Sequence, residues 1–246
     1  MLDLVIVRHG ESVRNHASDL AHRGDTNLLE YQLRFELEES AWDLTQRGID
    51  QSGIAGTWIR ENVSETFDEY LVSPFKRAQQ TAANLALANA DWTIDERLRE
   101  RQWGNYMAPG IPVYTVDQYL DDLSFCGAVH WKREFPGAES VEDMIPRCHS
   151  FFMDLLSHKT TEKAIVVTHG GTMKAFQLVI ERLSVDQEML LTKRRLSNCS
   201  ILHYRLKTVN LVPDEWIGRV RFASPAMPDS PVSEWEDIAG CTIADD

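Results

Sequence analysis

Three short stretches of the chain are apolar at nearly every position and rich in β-branched residues: Leu2–Val7, Tyr70–Val72 and Ala164–Thr168. Runs without polar alternation are what a strand buried on both faces requires. Each ends in turn residues and gives way to a helical pattern. The clearest junction follows the second run. Ser73 suits a helix cap and Pro74 a first helical position, so a helix over Phe75–Ala90 is predicted. Another helix is predicted from near Thr45 to about Asn62. A third, over roughly Ser140 to Ser157, carries an apolar stripe of Val141, Ile145, Cys148, Phe152 and Leu155, and Pro146 must start or kink it. Strand alternating with helix predicts an α/β three-layer sandwich, a mainly parallel central sheet with helices on both faces. In such sheets a ligand sits outside the carboxyl ends of the strands.

The length, 246 residues, suits one such domain with insertions, expected over residues 1–222. Between Trp103 and Phe135 the periodicity loosens and seven aromatics gather (Trp103, Tyr106, Tyr114, Tyr119, Phe125, Trp131, Phe135). About three would be expected from average usage. Two readings stand for an insertion over about 103–138: a satellite core beneath long loops, or a lid that shapes a pocket. From Ala223 to Asp246 there are six acids and no Lys or Arg, with Pro225, Pro228 and Pro231. That composition reads as an acidic C-terminal tail over 223–246, solvated or laid over the surface.

The formal charge of −13 argues against a nucleic-acid partner, because non-specific binding needs a basic face. No apolar run reaches the roughly 18 to 20 residues of a membrane span, so no membrane partner is expected either. The apolar N-terminus lacks a basic lead-in and a small-residue cleavage site, and reads as a strand and not a signal peptide. Cys126, Cys148, Cys199 and Cys241 are far apart, which speaks against a disulfide framework and a thiolate zinc site and favours a reducing, cytoplasmic setting. The sequence leaves the oligomeric state open.

The chemistry gathers at the strand ends. The first strand runs into Arg8-His9-Gly10-Glu11-Ser12, the third into His169-Gly170-Gly171-Thr172, and the second leads through Ser73 to Arg77 in the first turn of its helix. If the strands are parallel, two imidazoles and two guanidiniums converge on one sheet edge. Arginine offers a rigid fork matched to phosphate oxygens, and a helix N-terminus adds free N–H groups. Neutral imidazole attacks phosphorus competently when its other nitrogen is held by an acceptor. Glycine after each histidine (Gly10, Gly170) permits close backbone approach. The parts suit phosphoryl transfer. A metallohydrolase built from His9 and His169 with Asp3 or Glu11 is the competing reading. The His-Glu-x-x-His pattern is absent, as is a P-loop, and cationic neighbours suit an anion better than a divalent cation. No metal and no cofactor are expected.

Arg8-His9-Gly10-Glu11-Ser12 with Asn15 resembles the signature of the histidine phosphatase superfamily, which includes phosphoglycerate mutases and many phosphatases. The resemblance continues through Leu44-Thr45-Gln46-Arg47-Gly48, Ser73-Pro74-Phe75-Lys76-Arg77, Leu98-Arg99-Glu100, Pro136-Gly137-Ala138-Glu139-Ser140 and Val166-Val167-Thr168-His169-Gly170-Gly171, in order across residues 2 to 206. It implies that His9 is the phosphorylated nucleophile. Arg8, Arg77, His169 and Gly170 would hold the phosphoryl group, with Asn15 at the rim. Glu100 would be the general acid; beside a bound phosphate a carboxyl has a like-charge reason to keep its proton. Only the resemblance singles Glu100 out from the other acids.

The expected partner is a small phosphorylated substrate. The stretch Trp103–Pro109 and the absence of a proline triplet depart from the mutases. So does the longer, polar stretch from His16 to Trp42, with Arg23, Gly24 and Asp25 where mutases place substrate contacts. Water should then take the phosphoryl group, which makes a metal-independent phosphatase the first expectation. A mutase is the alternative, and a non-catalytic phospho-ligand-binding protein a third. Arg14, Arg23, Arg101, Lys132 and Arg133 read as solvated surface or as contacts to a second anionic group.

Overall fold

A computed structural model describes residues 1–35, 38–102, 104, 137–158, 160–183, 196–208, 216–227 and 232–238. The stretch read as a lid lies outside the described residues apart from Gly104, Gly137 and Ala138, as do Lys132, Arg133, Cys126 and Cys241.

The three apolar runs form strands β1 (Leu2–Arg8), β2 (Glu69–Val72) and β4 (Lys163–Thr168). Between the last two in sequence lies a short strand, β3 (Thr93–Ile94). These four run parallel, in the order β3-β2-β4-β1. On the far side of β1 the sheet changes direction. β5 (Ile201–Thr208), β6 (Trp216–Ala223) and β7 (Glu236–Asp237) add an antiparallel wing and complete seven strands among the described residues. The fold is α/β with a mixed sheet; the parallel half carries the strand ends of interest.

Six helices are described: α1 (Val13–His22), α2 (Asn27–Phe35), α3 (Gln46–Asn62), α4 (Lys76–Asn84), α5 (Val141–Ser157) and α6 (Gly170–Glu181). They sandwich the sheet. On one face Leu4, Ile6 and Val166 pack with Met144, Cys148 and Phe152 of α5 and Met173 and Phe176 of α6. On the other, Val5, Val7, Ile165 and Val167 pack with Ala55 and Ile59 of α3 and Ala78 and Ala82 of α4. Alternate residues of one strand therefore feed two cores, which is why the strand sequences are apolar throughout.

Local chemistry sets the helix boundaries. Thr45 caps α3 by accepting the Gly48 N–H. Ser12 with Asn15, and Ser140 with Asp143, form reciprocal capping boxes at α1 and α5. One expectation needs correction. α4 is shorter than Phe75–Ala90 and is capped by Phe75; it stops at Asn84, beyond which Ala86 and Asn89 take left-handed conformations. The third predicted helix forms as α5 with Pro146 inside it; the capping box fixes the first turn, and burial of Met144, Cys148 and Phe152 holds the rest.

The acidic C-terminal segment contributes to the sheet edge. Glu236 and Asp237 pair with Val220 and Arg219 on β6, and Ile238 is buried.

Candidate active site

Strand register alone brings the two histidines together. β1 and β4 are parallel with Arg8 opposite Thr168, and the His9 N–H donates to the Thr168 carbonyl at 2.9 Å. The next residue of each chain is a histidine, so His9 and His169 emerge side by side with ring centres 5.1 Å apart. β2 ends level with them: Val72 pairs with Val167, and Ser73 N–H donates to the Val167 carbonyl. From there α4 delivers Arg77, whose Nε donates to His9 Nε2 at 3.2 Å.

Both rings are buried and their tautomers are fixed by neighbours. His9 Nδ1 lies 2.7 Å from the Gly10 carbonyl and must donate to it, which leaves Nε2 with the free electron pair that Arg77 meets. His169 Nε2 lies 2.7 Å from Ser73 Oγ, which also accepts the Phe75 N–H. The hydroxyl has no other acceptor among the described residues, so it donates to Nε2 and the proton of His169 sits on Nδ1. Among the described residues that buried Nδ1 has no hydrogen-bond partner. Burial, followed by the positive charges of Arg77 and Arg8, holds His9 well below the ordinary histidine range. His169 is depressed the same way, first by burial and then by Arg77. Both imidazoles are neutral in the resting protein.

The remaining site residues close around this pair. Arg8 donates from Nη1 to the Leu196 carbonyl, and a Cβ added to Gly170 would meet its Nε at 3.4 Å. Glu100 is carried by the segment after the tight turn Glu96–Leu98, which is pinned to the site by Thr168 Oγ1 donating to Leu98 O and Thr172 Oγ1 donating to Arg99 O. Its carboxylate accepts the N–H of Arg101 and, from the start of α6, the N–H of Gly171. A Cβ on Gly171 would lie 2.5 Å from Glu100 Oε1, so a side chain there would push the carboxyl aside. Asn15 spends its Oδ1 on the Ser12 cap and on Asn198 Nδ2, which also donates to the His9 carbonyl.

Several functional neighbours were not legible. The stretch before α3 returns to the site at Glu39 and Trp42: Arg77 Nη1 donates to the Glu39 carbonyl at 2.6 Å, and the Trp42 ring faces both Arg14 and Arg77. Arg23, Gly24 and Asp25 instead form the exposed turn after α1. Arg14 and Arg101 are buried and do not belong to the solvated surface; Arg23 is exposed. Glu11 points elsewhere. Its carboxylate takes Thr45 Oγ1 and Arg47 Nη1, and it tethers the turn after β1 to the start of α3, where a Cβ on Gly48 would lie 2.1 Å from Glu11 O. Among the described residues no three His, Cys, Asp or Glu side chains are grouped as metal ligands.

The sequence matches the family model described as the histidine phosphatase superfamily (branch 1) over residues 37–216. The chain belongs to the histidine phosphatase superfamily. The match begins after the Arg8–Ser12 segment, which the parallel register brings back to it. A 2,3-bisphosphoglycerate-dependent phosphoglycerate mutase from Azorhizobium caulinodans is 28% identical over 215 residues, 82% of this chain and 91% of the relative. A putative phosphoserine phosphatase 2 from Hydrogenobacter thermophilus is 26% identical over 192 residues, 76% of this chain and 82% of that one. Among solved structures, a mycobacterial glucosyl-3-phosphoglycerate phosphatase with inorganic phosphate is similar in fold, with a TM-score of 0.65 and 19% identity across 92% of this chain and 100% of the other. No helix among the described residues is long and apolar enough to cross a membrane.

Proposed function

We propose that this member of the superfamily is a phosphatase that hydrolyses small phosphate monoesters through a phosphohistidine on His9. The observation that carries the reading is the buried His169 Nδ1, which has no hydrogen-bond partner among the described residues, set beside the imidazole whose Nε2 meets the Arg77 guanidinium. A phosphoryl oxygen is the group that would satisfy it.

In the first step the His9 Nε2 electron pair attacks phosphorus and the bond to the ester oxygen breaks. The Nδ1–H bond to Gly10 O stabilises the charge that develops on the ring. Arg77 gives up its contact with Nε2 for the phosphoryl oxygens, joined by Arg8 and His169, with Asn15 at the rim and the backbone at Gly170 close by. Donors already gathered at the strand ends would need little rearrangement as charge builds up, which is where electrostatic stabilisation is largest. Glu100 gives its proton to the departing oxygen. Water then attacks phosphorus, Glu100 takes its proton, the P–N bond breaks and inorganic phosphate leaves. No step calls on a metal or cofactor.

Transfer back to the sugar acid, as in a mutase, is the second reading, favoured by the mutases among the relatives. One experiment separates them. The protein is incubated with labelled phosphoesters and with 3-phosphoglycerate plus a bisphosphate primer, wild type beside His9→Ala. Phosphatase action predicts an acid-labile, base-stable label on His9 and phosphate release faster than phosphoglycerate interconversion, both lost in His9→Ala. Interconversion faster than release assigns a mutase. Tight binding of phosphoesters without turnover of any would leave only a binding protein.

A further inference from the structure

The tight turn Glu39–Ala41 carries a second carboxyl to the phosphate cage. Glu39 is anchored through its carbonyl to Arg77, the same guanidinium that touches His9. Its carboxyl lies within electrostatic reach of Arg14 from α1, Arg77 from α4, and Glu100 and Arg101 from the segment after Leu98. Among the described residues the carboxyl makes no hydrogen bond or ion pair, although the residue is largely covered. Trp42, three residues on, lays its ring against Arg14 and Arg77 and fixes both guanidiniums beside it.

The chemistry of that position decides what can leave. Arg8 and Arg77 belong to the phosphoryl group. Arg14 and Arg101 are two further buried cations, and both lie within electrostatic reach of the Glu39 carboxyl. A leaving group with a carboxylate would compete with Glu39 for the same cations and meet its charge at short range. A neutral leaving group with hydroxyls adds no charge and can donate hydrogen bonds to the Glu39 carboxylate, the stronger kind of acceptor. We infer that Glu39 is a specificity-determining residue of the leaving-group subsite, selecting phosphate monoesters of neutral, hydroxyl-bearing alcohols against those that carry a carboxylate. Burial pushes the Glu39 carboxyl up to about 7, aided by Glu100 and opposed by Arg77, Arg14 and Arg101, so the selection strengthens as this group ionises. The inference rests on the phosphatase reading for its biological meaning, but its test does not need turnover.

Glycerol 3-phosphate and 3-phosphoglycerate differ only in a hydroxymethyl against a carboxylate. Their dissociation constants are measured by calorimetry on His9→Ala and on His9→Ala with Glu39→Gln. The first protein should prefer glycerol 3-phosphate by about tenfold or more, and Glu39→Gln should shift the ratio toward 3-phosphoglycerate by a similar factor. Because one phosphate head is common to both ligands, a general disturbance of the cage cancels in the ratio. Should the double variant fail to fold, the single variant still decides: its preference must grow between about pH 6 and about pH 8, the interval in which a carboxyl near 7 loses its proton. Tighter binding of 3-phosphoglycerate, or a ratio indifferent to both Glu39→Gln and pH, overturns the inference. Hydrolysis that survives in His9→Ala would instead sink the phosphatase reading and leave this ratio untouched.

Discussion

Ser73 Oγ sits 2.7 Å from His169 Nε2, at the level where β2 and β4 end together. The serine is therefore committed to the second histidine and is not a helix cap. By donating to Nε2 it keeps the His169 proton on Nδ1, the face that has no hydrogen-bond partner among the described residues. Ser73 acts through His169 and is a positioning residue.

Ser73→Ala should let His169 change tautomer and lose its aim at the phosphoryl group. One hydrogen bond of this kind is worth about 1.4 kcal/mol, so kcat should fall about tenfold, with a smaller change in KM. The tautomer itself can be read from the 15N shifts of the His169 ring. An unchanged Nδ1–H signature in the variant would contradict the assignment.

Gly171→Ala tests the seat of Glu100. The added methyl would fall 2.5 Å from Oε1 and displace the carboxyl from the start of α6. General-acid catalysis contributes roughly 10² to 10⁴ in rate, and its loss matters most for leaving groups that need a proton. Turnover of an alkyl phosphate should drop by about two orders of magnitude, whereas p-nitrophenyl phosphate, whose phenol leaves readily as an anion, should lose much less. Equal losses on both substrates would mean that Glu100 does not supply the proton.

The strand ends were legible because burial on both faces forces a strand to be apolar throughout, and few segments of this chain are. Parallel register then followed from helix alternation, and with it the meeting of His9, His169 and Arg77. The antiparallel wing hid because Arg205, Lys207, Arg219 and Arg221 break up β5 and β6 with charge on the more exposed positions. Ser73 was misread because a Ser-Pro pair has the same local appearance whether its hydroxyl caps a helix or meets a histidine 96 residues away. Glu39 was invisible for a related reason. Its place beside Arg77 depends on how the chain returns after α1 and α2, and nothing in the spacing from Arg14 to Trp42 encodes that path. Glu100 needed the family pattern, since the hydrogen bond to Gly171 N–H joins residues far apart in sequence.

The two depressed histidines make stability depend on pH. Each is neutral when folded and ordinary, near 6.5, when unfolded, so below that value the unfolded chain binds more protons and stability falls as pH falls. Each contributes a slope of at most about 1.4 kcal/mol per pH unit, absent above the unfolded value. Urea unfolding at about pH 7, 6 and 5 should show this decline, and His169→Asn should show a shallower one. Identical slopes in the two proteins would mean that His169 titrates normally in the folded state. Phosphate should oppose the decline, because a ligand that binds only the folded protein adds to its stability.

The acidic C-terminal segment is held to the wing by backbone hydrogen bonds, the Arg219–Asp237 ion pair, the buried Ile238 and one aromatic clamp. Trp235 meets the buried His203 ring edge-on at 4.8 Å, and Arg205 and Arg221 lie over its own ring at 4.6 and 4.8 Å. His203 is itself fixed, with Nε2 on Asp3 at 2.9 Å and Nδ1 accepting from Arg221 Nε. The clamp sits next to β7, whose two residues alone could not hold an edge strand in place. Two cation–π contacts and one aromatic pair are together worth about 2 kcal/mol at a partly exposed site. Trp235→Ala should therefore lower the unfolding free energy by about that amount and free the segment to exchange its β7 amide protons. Trp235→Phe, which keeps an aromatic face, should recover more than half of the loss. If both variants unfold at the wild-type urea concentration, the segment is tied down by its backbone pairing and not by the Trp235 clamp.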